Sequence, residues 1–266
     1  MAVQPQEDQA ALARVTDLLH AFRSGSSQAL IDAANTMIAT PWRLMVDGDR
    51  SRVAFAVADE LLGAAAQGGG TVAIQFGLAV VDAELDRVPW ELLDPGAEIL
   101  LRTVRGALLG ERHYLETRLD DLDAAVRELE KATNRLRQLP QVVDEHNQGW
   151  CWLTYASTLT DHADITDRLD QRAAAVEALE HAAAVPGVRS QMRNAIRHKL
   201  AVTRVDYWKR VARDDAAATG DLVRACDDAI VELEDLIDDP VGHDVERRTW
   251  LQNLTSLKQL RRELRA

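Results

Sequence analysis

Apolar residues recur at helical spacing along most of the chain. Residues 8–23 carry Leu12, Val15, Leu18, Leu19 and Phe22 on one face, which predicts a helix. Ser24-Gly25-Ser26-Ser27 ends it and caps a second helix over about 27–39, closed by Pro41. A third covers 49–66, with Val53, Val57, Leu61 and Ala64 aligned, and Gly68-Gly69-Gly70 stops it. The pattern then changes. Val72, Ile74, Phe76, Leu78 and Val80 alternate with Ala73, Gln75, Gly77 and Ala79, a period of two that predicts a strand. A helix over 72–87 is the competing reading. The run Ile99-Leu100-Leu101-Arg102-Thr103-Val104 predicts a second strand, after a bend at Val88-Pro89-Trp90-Glu91-Leu92-Leu93-Asp94-Pro95. From about 106 onward the pattern is helical, with breaks at Pro140, Pro186-Gly187, Gly220 and Pro240.

Self-similarity is the strongest signal. Residues 119–132 read LDDLDAAVRELEKA and residues 169–182 read LDQRAAAVEALEHA, identical at eight of fourteen positions with an offset of 50. A third copy at 223–236, offset by a further 54, keeps Ala229, Ile230, Leu233 and Glu234 at the matching places. In each copy a small residue and a β-branched residue precede a Leu on one face, so a neighbouring helix can approach closely. One such helix cannot bury its face alone, whereas stacked helix pairs share a continuous core. The expected organisation is an N-terminal region over 1–105 and a repeat region over 106–266. The fold class is mainly α: antiparallel helix-pair repeats with a small β element near 71–104.

Trp152, Tyr155, Ala156 and Leu159, before the second copy, have the large, large, small, large spacing of the first helix in a tetratricopeptide unit. The segment from His113 to Leu236 therefore resembles degenerate, long-period tetratricopeptide arrays of bacterial signalling proteins. Residues 71–104, with Val88-Pro89-Trp90-Glu91-Leu92-Leu93, are similar to an early part of CHAT-type caspase-like domains. Such arrays often accompany those domains. The family's Gly-His-Gly histidine and its cysteine after a strand are not matched by Gly242-His243-Asp244, Cys151 or Cys226, so the resemblance implies no peptidase activity.

Charge and composition narrow the function. A formal net charge of −12 repels phosphate backbones and argues against nucleic acid. The last 22 residues run the other way, with six Lys and Arg against two Glu, as suits a helix C-terminus or a basic docking tail. Two cysteines exclude a disulfide framework and a multi-cysteine zinc site. No signal peptide is visible and no apolar run reaches the ~18 residues that span a bilayer, so a cytoplasmic location is expected.

Candidate chemistry is sparse. None of the seven histidines has a Glu three residues earlier, and Asp17-x-x-His20 is a lone carboxylate version of the di-iron motif. Gly68-Gly69-Gly70 lacks the Lys-Ser or Lys-Thr of a phosphate loop. Asp120-Asp121, Asp214-Asp215, Asp227-Asp228 and Asp238-Asp239 are similar to the magnesium-binding pairs of helical terpene synthases, but aromatics make up only 5%. Helix starts, which carboxylates stabilise, are the simpler reading of these pairs. Cys226 takes a packing position, while Cys151, between two tryptophans, could be partly exposed. No catalytic residue, metal or cofactor is expected.

The expected function is a protein-interaction scaffold whose groove is lined by the first helix of each pair. The repeat register puts Asn147, Trp150, Leu153 and Ser157 there in the second copy, with Arg193, Arg197 and Arg204 in the third. Those cations would suit an acidic partner segment or a CHAT-type signalling protein. A helical enzyme and a self-associating homo-oligomer are the alternatives.

Overall fold

The computed structural model describes residues 4–40, 48–87, 93–239 and 244–265. The described residues form eleven α-helices, with no strand among them. The chain divides into two compact units, Met1–Val143 and Asp144–Ala266.

In the first unit, α1 (Gln4–Arg23) packs on α2 (Ser27–Ala39), and α3 (Gly48–Ala64) packs on α4 (Gly70–Arg87). Between α3 and α4 a short π-helical segment breaks at Gly68 (φ 101°) and Gly70 (φ 60°), a conformation open to glycine. Residues 71–87 are thus helical, which corrects the strand expected there. Ile74, Leu78 and Val81 are buried with Ala73, Gly77, Val80 and Glu84, while Val72 is exposed. That set follows a 3.6-residue period. Apolar residues nearly all round the helix masked it, because α4 meets α2, α3 and α5 (Pro95–Glu116). Across the α3–α4 seam the buried Arg50 guanidinium donates to Glu84 at 2.7 Å, and the Ser51 hydroxyl donates to the same carboxylate.

The second expected strand, 99–104, lies inside α5 and is likewise corrected. Its buried residues Ala97, Leu101, Val104 and Leu108 repeat every three or four positions. Asp94 caps this helix through a hydrogen bond from the Ala97 N–H (2.9 Å), followed by Pro95 in the first turn. Of the expected bend, Val88 to Leu92 lie outside the described residues, as do Pro41, Pro240 and Gly242-His243.

Each of the three similar segments lies on a helix that packs on the helix before it. In the first unit α5 pairs with α6 (Leu119–Gln138). In the second, α7 (Glu145–Thr166) pairs with α8 (Leu169–Ala184) and α9 (Ser190–Asp214) with α10 (Thr219–Asp238), before α11 (Asp244–Arg265). The three sequence copies are the second helices, and four positions are buried in all of them: Leu122/Arg172/Cys226, Ala125/Ala175/Ala229, Leu129/Leu179/Leu233 and Ala132/Ala182/Leu236. The first two hairpins share more than that face. Asp144 caps α7 as Asp94 caps α5, fifty residues apart. Thr117 (φ 56°) and Asp167 (φ 55°) make the same left-handed turn, again fifty apart. Gly106 on α5 lies against Leu129, close enough that a Cβ there would come within 2.5 Å of its Cγ. The equivalent residue in α7, Ala156, is fully buried, as is Leu179.

Candidate functional site

In the second unit, α7, α9 and α11 line one side and leave a cavity of about 550 Å³. Its apolar wall comes from Leu153 of α7, Ala195 and Val202 of α9, and Trp250 of α11. Ser157, Thr160 and Thr203 add hydroxyls, and His198, Lys199, Asp206 and Glu246 add titratable groups. The volume is in the range of small-ligand sites. A neighbouring cavity of about 340 Å³, between α9 and α11, shares Val202 and Asp206 with it, so the depression runs on toward Lys209 and Glu263.

Lys199 is the central polar feature. Its ammonium donates to Ser157 Oγ at 2.7 Å, and that hydroxyl donates in turn to the Leu153 carbonyl at 2.8 Å. Burial holds the Lys199 amine below the ordinary lysine value, against the opposing pull of Asp161. His198 is also lowered, first by burial and then by the Lys199 charge, with Glu246 acting the other way. The His198 ring is 2.9 Å from the Asn253 amide nitrogen and tilts against Trp250 at a centroid distance of 6.3 Å. Asp206 is held from behind by the buried Arg172 at 3.1 Å.

The structure brings together Leu153 and Ser157 from the expected set. Asn147 sits at the start of α7, where its amide donates to Asp144 at 2.6 Å. Trp150 is half-buried, and its neighbour Trp152 is buried and stacked on His181 at 4.5 Å. Neither Asn147 nor Trp150 lines the cavity.

The three arginines expected in the groove lie elsewhere on α9. Arg193 donates to the carbonyls of Pro186 and Val188. Arg197 pairs with Glu232, and Arg204 with Glu180 at 2.6 Å, and both line a separate cavity of about 240 Å³ against α8 and α10. Arg197 and Arg204 thus have carboxylate partners within the fold. At about 100° per residue, Arg197 is roughly 200° around the helix from Lys199. The register was hard to read because α9 has a broken apolar stripe, in which buried Asn194 and Thr203 stand among Ile196, Ala201 and Val205. No sequence signal pointed to Lys199, because its hydrogen bond to Ser157, 42 positions earlier, is a tertiary contact.

Other candidates resolve into packing. Cys151 is fully buried, not partly exposed, and neither thiol is in a disulfide. Burial, and then Asp227, pushes the Cys226 thiol up. Asp227 pairs with Arg261 and with Arg265, and Lys258 meets Glu234 at 2.6 Å, so these cations of the last helix lie on α10. Among the described residues no group of three or more His, Cys, Asp or Glu is placed to hold a metal, and no helix is long and apolar enough to cross a membrane. Comparison with protein-family models, curated proteins and solved structures gives no match.

Proposed function

We propose that this chain is a tetratricopeptide-like interaction scaffold that holds a partner polypeptide along α7, α9 and α11. One observation carries the reading: the first helices of two successive hairpins, with α11, line a common cavity, while Ala175, Leu179, Ala229 and Leu233 of the second helices are buried. A layer of second helices that secures a layer of first helices is how helix-pair repeats build a recognition surface. Leu153, Val202 and Trp250 supply apolar contact, and the hydroxyls of Ser157 and Thr160 supply orientation. The partner class is a segment with apolar side chains, not the purely acidic one that free arginines would have suited. A CHAT-type signalling protein remains the family-level expectation for its source.

The test is affinity capture with the full chain. Wild type is compared with Leu153→Glu and Val202→Glu in the groove, and with Arg204→Ala outside it. The reading expects a specific protein retained by wild type and Arg204→Ala and lost by both groove variants. Capture that is indifferent to the groove charges would overturn it.

A further inference from the structure

Lysine is rare in this chain, with four residues against twenty-seven arginines. Three of the four are ordinary surface cations. Lys131 pairs with Glu128 at 2.8 Å, Lys258 pairs with Glu234 at 2.6 Å, and Lys209 is exposed. Lys199 differs in its combined surroundings. It is half-buried, it lines the α7–α9–α11 cavity, and its one hydrogen bond goes to a neutral hydroxyl. It makes no ion pair among the described residues. The charged groups that face it are accounted for element by element. Asp161 on α7 acts only through space, Glu246 on α11 lies on the cavity wall beside His198, and Asp206 on α9 is engaged by Arg172 of α8.

We propose that the Lys199 amine captures a carbonyl compound, an aldehyde or ketone with an apolar body, as a reversible imine in this cavity. Arginine could not do this, because its guanidinium stays protonated and is not a nucleophile. A lysine amine can, once part of it is neutral. Burial shifts Lys199 in that direction. Ser157 positions the nitrogen. Its hydroxyl proton is committed to the Leu153 carbonyl, so Oγ accepts from Nζ and leaves the other amine positions toward the cavity. The Nζ lone pair forms a bond to the carbonyl carbon, and the carbonyl oxygen takes up a proton. The resulting carbinolamine loses hydroxide from carbon and its one remaining N–H proton, which leave together as water, and a carbon–nitrogen double bond forms. Amine and carbonyl go to imine and water, with no oxidant or reductant. Leu153, Ala195, Val202 and Trp250 would cover the apolar body of the compound.

The chemistry needs no protein partner, so its test stands apart from the scaffold reading. The full chain is incubated with limiting hexanal at neutral pH and trapped with cyanoborohydride. Alkylation at each lysine is then read by peptide mass spectrometry. Burial lowers the Lys199 amine and so enlarges its neutral fraction, and with the cavity beside it Lys199 is expected to label faster than Lys131, Lys209 or Lys258. Its labelling should also reach a plateau at a lower pH than theirs. Ala195→Trp, which fills the cavity and leaves the amine, should slow labelling at Lys199 alone. Unfolding in urea should equalise all four sites. Labelling of Lys199 no faster than that of exposed Lys209, or a preference that survives in urea, would overturn the proposal.

Discussion

Arg172 occupies the position that Leu122 and Cys226 fill in the other two copies. Its side chain is 0% exposed, yet Asp164 and Asp206, its two ion-pair partners, are each about half exposed. Among the described residues its Nε has no hydrogen-bond partner. The guanidinium therefore bears the desolvation cost almost alone, while its partners keep much of their hydration. Replacing such a buried charge with an apolar side chain of similar volume is often neutral or stabilises by about 1–4 kcal/mol. Arg172→Met keeps the length of the side chain, removes the charge, lets Asp206 return to water and leaves Asp164 with Arg210 at 3.6 Å. Its stability is expected to equal wild type or exceed it by up to about 2 kcal/mol. The reverse perturbation is asymmetric. Asp164→Asn with Asp206→Asn strands a fully buried cation and is expected to cost about 3–5 kcal/mol. Urea unfolding of the full chain checks both, with hydrogen exchange at the α8 amides reporting the local change. A loss of more than about 2 kcal/mol in Arg172→Met, with a mild effect of the double Asn variant, would refute the reasoning. That result would mean that the ion pairs themselves stabilise the hairpin.

Two further outcomes follow from the hairpin geometry. A Cβ on Gly106 would lie 2.5 Å from Leu129 Cγ, so Gly106→Ala should destabilise wild type through overpacking of about 1–3 kcal/mol, despite about 1 kcal/mol of helix propensity gained. In a Leu129→Ala background the same change should stabilise, and denaturation midpoints that add within about 0.5 kcal/mol would count against the contact. At the turns, Thr117 is a β-branched residue held at φ 56°, whereas Asp167 at φ 55° is of a type that tolerates this region. Thr117→Gly is expected to raise stability by about 1 kcal/mol and Asp167→Gly by less, measured by thermal unfolding.

The local elements whose determinants are contiguous were legible in the chain. The spacing of Leu12, Val15 and Leu19 and the Ser-Gly-Ser-Ser break were enough for α1 and α2, because a helix stripe and its stop lie within a few residues of each other. The repeat placed all three second helices, since Ala125, Leu129 and Ala132 have counterparts at fixed offsets. Two of the residues expected on α7, Leu153 and Ser157, line the cavity with α9 and α11. What failed had its cause outside the local sequence. The alternation at 72–80 read as a strand because α4 is apolar on several faces, and only its neighbours decide which residues they cover. The register of α9 depends on packing from α7, α8 and α10, and there Glu232 and Glu180 hold Arg197 and Arg204 on the side away from the cavity, while Arg193 meets backbone carbonyls. The meeting of Lys199 with Ser157 across 42 residues is likewise a tertiary fact. Sequence by itself determined the mainly helical character and the helices over the three similar segments, whereas α4 and the start of α5 were read as strands. The environment of one lysine amine, half-buried beside a cavity and hydrogen-bonded to a neutral hydroxyl, was decided only when three helices came together around it.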